Sequence, residues 1–312
     1  MEVDQGQAST PAESPPAQVQ WDFTKPHLTF DTMILIADRR QNSLTESPAI
    51  EAFNVNTQSY RAIGKLKAMR DNYAIARKGL LLFIIGGKRS GIWLASVEVY
   101  SHSKNIRKET PSPLTTAKTC CSALVYNNKL YVAGGCPGKG VYTDCVERWD
   151  FTNRGWEVIN PLNYPRADAV LIEFGGKMLA MGGFNGVNCE KRMEIYDETS
   201  GNWFYCGDMK EGRAGFAATV FEERIYIAGG WDGMRAPLRT MESLDPKSKS
   251  KKWNVEKAMN LSKKNFILAT IKNKEGRDDH MLALGGGPID ENWAQKFEPH
   301  THKWRPFAVH RP

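Results

Sequence analysis

The 312-residue sequence lacks several features that mark membrane, secreted and zinc-binding proteins. Its longest apolar run beside a glycine pair, residues 80–85 (LLLFII), is far shorter than the ~20 residues that a membrane-spanning helix needs. The first 20 residues have neither a basic start nor an apolar stretch, so they do not read as a signal peptide. None of the six cysteines forms a C-x-x-C motif. This predicts reduced thiols, no metal site and a location in the cytoplasm or nucleus.

Lysine and arginine are absent from residues 1–20, which are rich in proline, serine, alanine and glutamine. The composition predicts a disordered acidic tail over residues 1–20, followed by one domain over residues 21–312. Because the tail holds three acids, the net charge is +7 for the chain and +10 for residues 21–312. A basic domain favours acidic partners. The lysines concentrate in residues 245–253, a segment typical of a solvated loop, so neither nucleic acid nor membrane is predicted as a partner.

What the sequence does contain is a repeated motif, a short apolar run followed by two glycines. The intervals between successive glycine pairs are 48, 48, 47 and 56 residues, and the pairs begin at Gly86, Gly134, Gly182, Gly229 and Gly285. A sixth copy, "MILIADRR", has Ala37 and Asp38 in place of the glycines. A period near 50 residues indicates a repeat architecture, and we count six units.

Further residues recur in register with the glycines. An aromatic residue or leucine follows each pair, an acid or glutamine stands two positions before it, and a tryptophan follows it in four units: Trp156, Trp203, Trp253 and Trp304. A basic residue precedes four of the pairs by 16 positions: Arg70, Lys118, Arg166 and Arg213. Each unit reads as four short strands, and such small sheets must stack on one another to cover their apolar faces. We therefore predict an all-β protein, a six-bladed β-propeller with four antiparallel strands per blade.

The glycine pair, the acid two residues before an aromatic and the later tryptophan resemble the kelch repeat. The resemblance covers roughly residues 21–310, and "GGFNGVNCEKRMEIYDETSGNW" and "GGWDGMRAPLRTMESLDP" look most like the propeller of the BTB–kelch (kelch-like) adaptor family. In that family a BTB domain holds a cullin, a BACK domain acts as a spacer and the propeller binds the protein to be ubiquitinated. No stretch of this sequence resembles BTB or BACK. The resemblance thus implies the substrate-recognition part of a ubiquitin ligase, or a fragment of such an adaptor, in the cytoplasm.

Loops between the second and third strands, and between one blade and the next, surround one mouth of the propeller channel in this family. The predicted binding residues are basic and aromatic residues near those loops, which suit a peptide-binding hot spot. They are Arg39, Arg40, Arg70, Lys88, Arg89, Lys118, Lys139, Tyr142, Arg166, Phe184, Asn185, Arg213, Trp231, Asp232 and Arg235. The same loops also contain Trp93 and Trp293. Two alternatives remain: the four repeated basic residues pair with the repeated glutamates, and many of the loop residues, notably the two tryptophans, pack between blades.

The leading functional prediction is a non-enzymatic propeller that binds an acidic protein segment without any cofactor. An actin-binding or cytoskeletal scaffold is the second prediction, because kelch proteins also have that role. An enzyme is the third, because some kelch-type propellers are enzymes. Residues that recur in every unit are poor catalytic candidates, since one active site needs asymmetry. His300 and His302 have a spacing that could share a metal ion, but they fall in a turn at the opposite end of the last blade.

Closure of the ring is predicted to involve the first blade. In many kelch-like propellers the C-terminus supplies the innermost strand of that blade, about ten residues after the last tryptophan. Ten residues after Trp304 is position 314, and the sequence given ends at Pro312. We therefore expect the segment before "TMILIAD" to supply the innermost strand over "DFTKPHLTF". Because Pro26 lies inside that segment, we expect the strand to be short or irregular, around residues 27–30.

Overall fold

The computed structural model describes residues 33–37, 49–67, 70–101, 106–110, 112–152, 155–234, 236–248, 252–273, 275–286 and 294–307. These residues form 25 β-strands and contain no helix. Consequently they include no helix long and apolar enough to cross a membrane. The predicted tail over residues 1–20 and the predicted strand around residues 27–30 lie outside the described residues.

The strands are short because each apolar run ends at a turn or at a glycine pair. Blade 1 contains β1 (Met33–Ala37), β2 (Ala49–Asn54) and β3 (Ser59–Lys65). Blade 2 contains β4 (Ala74–Lys78), β5 (Leu81–Ile85), β8 (Val97–Ser101) and β9 (Ile106–Glu109), with a hairpin of β6 (Lys88–Arg89) and β7 (Ile92–Trp93) between β5 and β8. Blade 3 contains β10 (Ser122–Tyr126), β11 (Lys129–Ala133), β12 (Val146–Trp149) and β13 (Glu157–Ile159).

The last three blades repeat the same plan. Blade 4 contains β14 (Val170–Phe174), β15 (Lys177–Met181), β16 (Arg192–Asp197) and β17 (Asn202–Asp208). Blade 5 contains β18 (Ala217–Phe221), β19 (Arg224–Ala228), β20 (Met241–Leu244) and β21 (Trp253–Glu256). Blade 6 contains β22 (Ile267–Lys272), β23 (Asp278–Leu284), β24 (Ala294–Glu298) and β25 (Lys303–Pro306). Within every blade the strands pair antiparallel in sequence order.

Six apolar clusters join the six blades into a closed ring. The first strands of blades 2 to 6 lie side by side around the centre. Clusters of buried side chains fill the interfaces between blades 2 and 3, 3 and 4, 4 and 5, and 5 and 6. One further cluster joins blade 1 to blade 2, and another joins blade 1 to blade 6 through residues such as Phe53 and Leu282. The predicted six-bladed kelch propeller is thus confirmed, with three described strands in blade 1.

In blades 2 to 5, the first glycine of each pair lies where the blade touches the backbone of the next. At Gly182, φ is +61°, and a Cβ atom would lie 2.5 Å from the carbonyl oxygen of Arg213 in blade 5. The amide of Gly183 donates to that same carbonyl at 2.8 Å. A residue with a side chain would therefore separate the two blades as well as strain the backbone. The glycines of the repeated motif therefore allow neighbouring blades to come into contact.

The repeated tryptophans also have the predicted structural role. Trp203 and Trp304 are buried on the outer strands, and each lies 5.0 Å, between ring centroids, from the repeated aromatic residue of its own blade. The indole of Trp304 also donates to the carbonyl oxygen of Lys257, in the segment that enters the blade, at 2.9 Å. A large side chain at this position fills the space that opens between blades toward the rim.

Candidate functional site

One end of the channel is framed by a belt of backbone hydrogen bonds that runs from blade to blade. Each donor is an amide two residues after the basic residue of the repeat, and each acceptor is the equivalent carbonyl of the preceding blade. The bonds are 2.7–2.8 Å long and link Asn72, Cys120, Asp168, Gly215 and Asn265 in that order. All five residues have positive φ between 52° and 60°. This belt marks the mouth, the end at which the second strand of each blade passes to the third.

The four repeated basic residues lie behind this belt and are buried. In blade 4, the Arg166 guanidinium donates to the Gly182 carbonyl at 2.6 Å and to the Arg192 carbonyl at 2.9 Å. It also forms an ion pair with Glu194 at 2.7 Å, in which both side chains are fully buried. The second oxygen of Glu194 accepts the amide of Asn163 at 2.7 Å. The pair therefore ties the segment that enters the blade to the blade's own third strand.

The same arrangement recurs in other blades. The buried pairs are Arg70 with Glu98, Lys118 with Glu147, Arg166 with Glu194, and Arg213 with Glu242. In blade 6, Lys263 donates to the Gly285 carbonyl, while Gln295 takes the position of the glutamate and accepts the Asn260 amide. Side chains buried to this extent offer no surface to a partner. The frame of the mouth is consequently stabilised by Arg70, Lys118, Arg166 and Arg213, as the alternative interpretation of the sequence predicts. These four residues are therefore not part of the candidate binding surface.

The loops between the second and third strands project beyond the frame and carry exposed apolar residues at their tips. Four consecutive blades contribute one such residue each, exposed by 54–81%: Ile92, Val141, Val187 and Met234. Each follows a glycine with φ between 72° and 102°, which turns the chain so that the next side chain faces outward. Sequence reasoning missed these residues. The signal was present, since an apolar residue directly follows a loop glycine in four successive repeats.

Three predicted aromatic residues come together beneath these tips. Tyr142 of blade 3 packs edge-on against Phe184 of blade 4, with ring centroids 5.3 Å apart, and Phe184 lies 5.8 Å from Trp231 of blade 5. All three are half-buried. Gly186 belongs to the same layer, because a Cβ atom there would lie 2.8 Å from the Tyr142 ring. These residues form an aromatic row across three adjacent blades.

The predicted basic residues that remain at the surface belong to blades 2 and 3. The Lys88 ammonium lies 4.1 Å from the centroid of the Trp93 ring, a cation–π contact that holds it in place. Arg89 and Lys139 are exposed. Asp71, whose backbone pairs with Lys88, is the acid beside them and is also exposed. The blade 2 side of the mouth therefore carries a small excess of positive charge.

Two polar residues of the predicted site shape their own loops. The Asn185 side chain accepts the amides of Val187 and Asn188 at 2.8 Å and donates to Glu190 at 2.6 Å. The Asp232 carboxylate accepts the Met234 amide at 2.8 Å. Both side chains hold an apolar tip in its outward position. The predicted positions Arg39, Arg40 and Arg235 lie outside the described residues, as does Trp293.

Thiols and carboxylates lie near one another at the mouth, among them Cys120 beside Asp168 and Cys189 beside Asp232. Burial, followed by the charge of Asp232, raises the pKa of the Cys189 thiol to about 11, which opposes a nucleophilic role. His300 and His302 each face a different acid, Glu222 at 3.6 Å and Glu256 at 3.4 Å. No group of three or more potential metal ligands occurs among the described residues.

Comparison with known proteins agrees with this architecture. The kelch motif model matches residues 117–163, 165–210 and 212–260, which correspond to blades 3, 4 and 5. Kelch-like protein 36 of Rattus norvegicus is 23% identical over 239 residues, 73% of this chain and 38% of that protein. Kelch-like protein 15 of Homo sapiens is 23% identical over 206 residues, 59% of this chain and 34% of that protein. The influenza virus NS1A-binding protein homolog of Xenopus laevis is 34% identical over 76 residues, 24% of this chain and 12% of that protein.

The matched region spans little more than a third of the length of the kelch-like relatives. The family model, these relatives and the ring of blades point to the same assignment. The chain contains kelch repeats, is homologous to kelch-like proteins and folds as a kelch β-propeller.

Proposed function

We propose that this propeller is a non-enzymatic binding module that holds a segment of a partner protein at the mouth of its channel. The observation that carries the proposal is the set of loop tips of four consecutive blades, where Ile92, Val141, Val187 and Met234 are exposed above a row of aromatic side chains. Apolar residues on loops over a rigid frame, with basic residues beside them, suit recognition of a peptide segment. The net charge of +7 favours a segment with acidic side chains.

The relatives extend this proposal to a cellular role. Because the chain resembles the propellers of kelch-like proteins, we propose that it serves as the substrate-recognition part of a cullin-type ubiquitin ligase, in the cytoplasm or nucleus. The structure contributes one supporting argument: apart from the recurring apolar tips, the residues at the mouth differ from blade to blade, whereas the buried basic residues and their acids recur in the frame. A surface that differs from blade to blade is what selection of one partner requires.

Affinity capture with matched charge reversals tests the binding site. We expect the chain with Arg89→Glu and Lys139→Glu to retain much less partner than the unchanged chain. The control has Lys177→Glu and Lys303→Glu, exposed residues near turns at the opposite end of blades 4 and 6. It has the same net charge, so a general effect of charge would weaken both variants equally. Equal capture by the two variants would place the binding site away from this mouth.

Two further measurements distinguish the cellular roles. A cullin that co-purifies with the captured partner supports the ligase role, and capture of the partner without a cullin limits the proposal to a binding module. Co-sedimentation of the purified chain with actin filaments, abolished by the mouth variant, would favour the cytoskeletal alternative.

A further inference from the structure

The frame of the mouth is built differently in blade 3. The cation of the frame is an arginine in blades 2, 4 and 5 and a lysine in blades 3 and 6. An arginine reaches several acceptors at once, since Arg213 donates both to the Gly229 carbonyl and to Glu242 at 2.7 Å. Lys118 of blade 3 forms an ion pair with Glu147 at 2.7 Å, but its buried Nζ donates no well-aligned hydrogen bond to any described residue. Unused donors on a buried ammonium are costly, so the neighbours of this group need a functional explanation.

A thiol stands beside this ammonium where two other blades have a hydroxyl group. Cys145 lies two residues before Glu147, and Ser96 lies at the equivalent position of blade 2. The Ser96 hydroxyl accepts a hydrogen bond from the Arg70 guanidinium at 3.2 Å, and blade 5 has the equivalent bond at 3.3 Å. The register of the repeat therefore directs the Cys145 sulfur toward Lys118.

Two thiols lie near Lys118, and they differ in access. Burial raises the pKa of both thiols, that of Cys121 to about 12, and the charge of Lys118, the next largest influence, acts to lower the pKa of each. Cys121 is buried in the core between blades 2 and 3, whereas Cys145 is half-buried. A small oxidant therefore reaches Cys145 more easily. Oxidation of a thiol with a nitrogen nucleophile beside it leads to a bond between sulfur and nitrogen.

We propose that Cys145 and Lys118 form a sulfenamide cross-link when the protein meets hydrogen peroxide. The Cys145 sulfur attacks one peroxide oxygen and the O–O bond breaks, so that the sulfur is oxidised to a sulfenic acid and the peroxide is reduced to water with the thiol proton. The Lys118 ammonium passes one proton to the Glu147 carboxylate, 2.7 Å away. The Lys118 nitrogen then attacks the sulfenic sulfur. An S–N bond forms, the S–O bond breaks, and hydroxide leaves with a second nitrogen proton as water.

The cross-link lies where it can influence the mouth. The carbonyl of Thr143, two residues before Cys145, accepts the Arg166 amide of blade 4 at 3.1 Å, and the adjacent Tyr142 packs in the aromatic row. A sulfenamide nitrogen carries no positive charge, so reaction of Lys118 removes the ion pair from the frame of blade 3. The modification therefore connects the redox state of the surroundings to the surface between blades 3 and 4. Its effect on a partner rests on the proposed function, whereas its formation does not.

Peptide mass spectrometry of the intact chain after treatment with hydrogen peroxide tests the cross-link. We expect the peptides of Lys118 and Cys145 to be joined, with a mass lower than their sum by that of two hydrogen atoms, and to separate again after reduction with dithiothreitol. The variants Lys118→Arg and Cys145→Ser give blade 3 the residues that blade 2 has at these positions, so both should fold. Cys145→Ser should abolish the cross-link. Lys118→Arg should leave Cys145 as a sulfenic or sulfinic acid.

Two results would overturn the inference. One is a chain in which the exposed Cys206 is oxidised while Lys118 and Cys145 stay separate. The other is a product of the same mass that survives in Lys118→Arg and disappears in Cys121→Ser, because it would be a disulfide between Cys121 and Cys145.

Partner capture with oxidised and reduced protein measures the effect on the mouth. We expect oxidation to weaken capture by the unchanged chain more than capture by the Lys118→Arg variant, and equal weakening would contradict an influence of the cross-link on the mouth. Failure of the proposed function has a different signature, since capture by reduced protein would then be unaffected by the Arg89→Glu and Lys139→Glu variant.

Discussion

Arg166 and Arg89 are both arginines near a glycine pair, yet one is fully buried and the other is exposed. Arg166 stands 16 residues before its pair, at a position that is basic in five blades, and it joins a glutamate and two carbonyls behind the mouth. Arg89 stands two residues after its pair, in a loop whose length and sequence differ from blade to blade. The comparison shows that the basic residue that recurs belongs to the frame of this propeller, whereas the basic residues that differ from blade to blade lie at its surface.

The largest expected effect comes from breaking a recurrent ion pair. Arg166→Ala leaves the carboxylate of Glu194 buried without its cation, which should lower the free energy of unfolding by about 3–5 kcal/mol. Arg224→Ala is the control, because the Arg224–Asp245 pair is 3.6 Å long and its side chains are 38% and 31% exposed. Its loss should cost no more than about 1 kcal/mol. Urea denaturation measures both, and similar losses would contradict the distinction between frame and surface.

A recurrent glycine should be the next most sensitive position. Gly182→Ala adds a Cβ atom at φ +61°, within 2.5 Å of the Arg213 carbonyl and of the Phe216 ring. We expect a loss of roughly 2–4 kcal/mol from backbone strain and overpacking. Gly175→Ala shares the strain, with φ +57°, but has open space around it. It should cost roughly 1–2 kcal/mol. Equal costs would show that conformation alone, and not contact between blades, requires the glycine pair.

Truncation of the N-terminus tests blade 1, the unit in which the repeated motif is most degraded. We expect deletion of residues 1–20 to leave the melting temperature nearly unchanged and deletion of residues 1–30 to lower it by on the order of 5 °C, equivalent to about 1–2 kcal/mol. The reason is that the second deletion removes the segment predicted to close blade 1. Differential scanning calorimetry of the two truncated chains measures the difference. If both melt at the same temperature, the ring closes without residues 21–30.

The smallest effect on stability is expected at the positions that should matter most for binding. Arg89→Glu and Val187→Ser change exposed loop residues, and Val187 is 81% exposed. Each should change the free energy of unfolding by no more than about 0.5 kcal/mol. The same urea titrations used for Arg166 provide this measurement. A loss comparable to that of Gly182→Ala would mean that the loop belongs to the frame.

The sequence by itself determined the architecture, because the residues that recur in each repeat are the residues that one blade needs in order to form and pack. Glycine pairs, an acid before an aromatic residue and a later tryptophan recur together, so their spacing counted the blades and located the strands. In blade 5, for example, the two apolar runs on either side of the turn at residues 221–224 form β18 and β19, "TMESLD" contains β20, and Trp253 begins β21. Local pattern sufficed because each blade is built from residues close in sequence.

Only the tertiary structure decided which basic and apolar residues face a partner. Arg166 and Glu194 are 28 positions apart, and a charge on its own does not reveal whether it is paired in the interior. Val187 and Met234 are apolar and look like core residues in sequence, yet a glycine before each turns it outward. Burial and direction depend on how neighbouring blades meet, a long-range property that a single repeat does not contain.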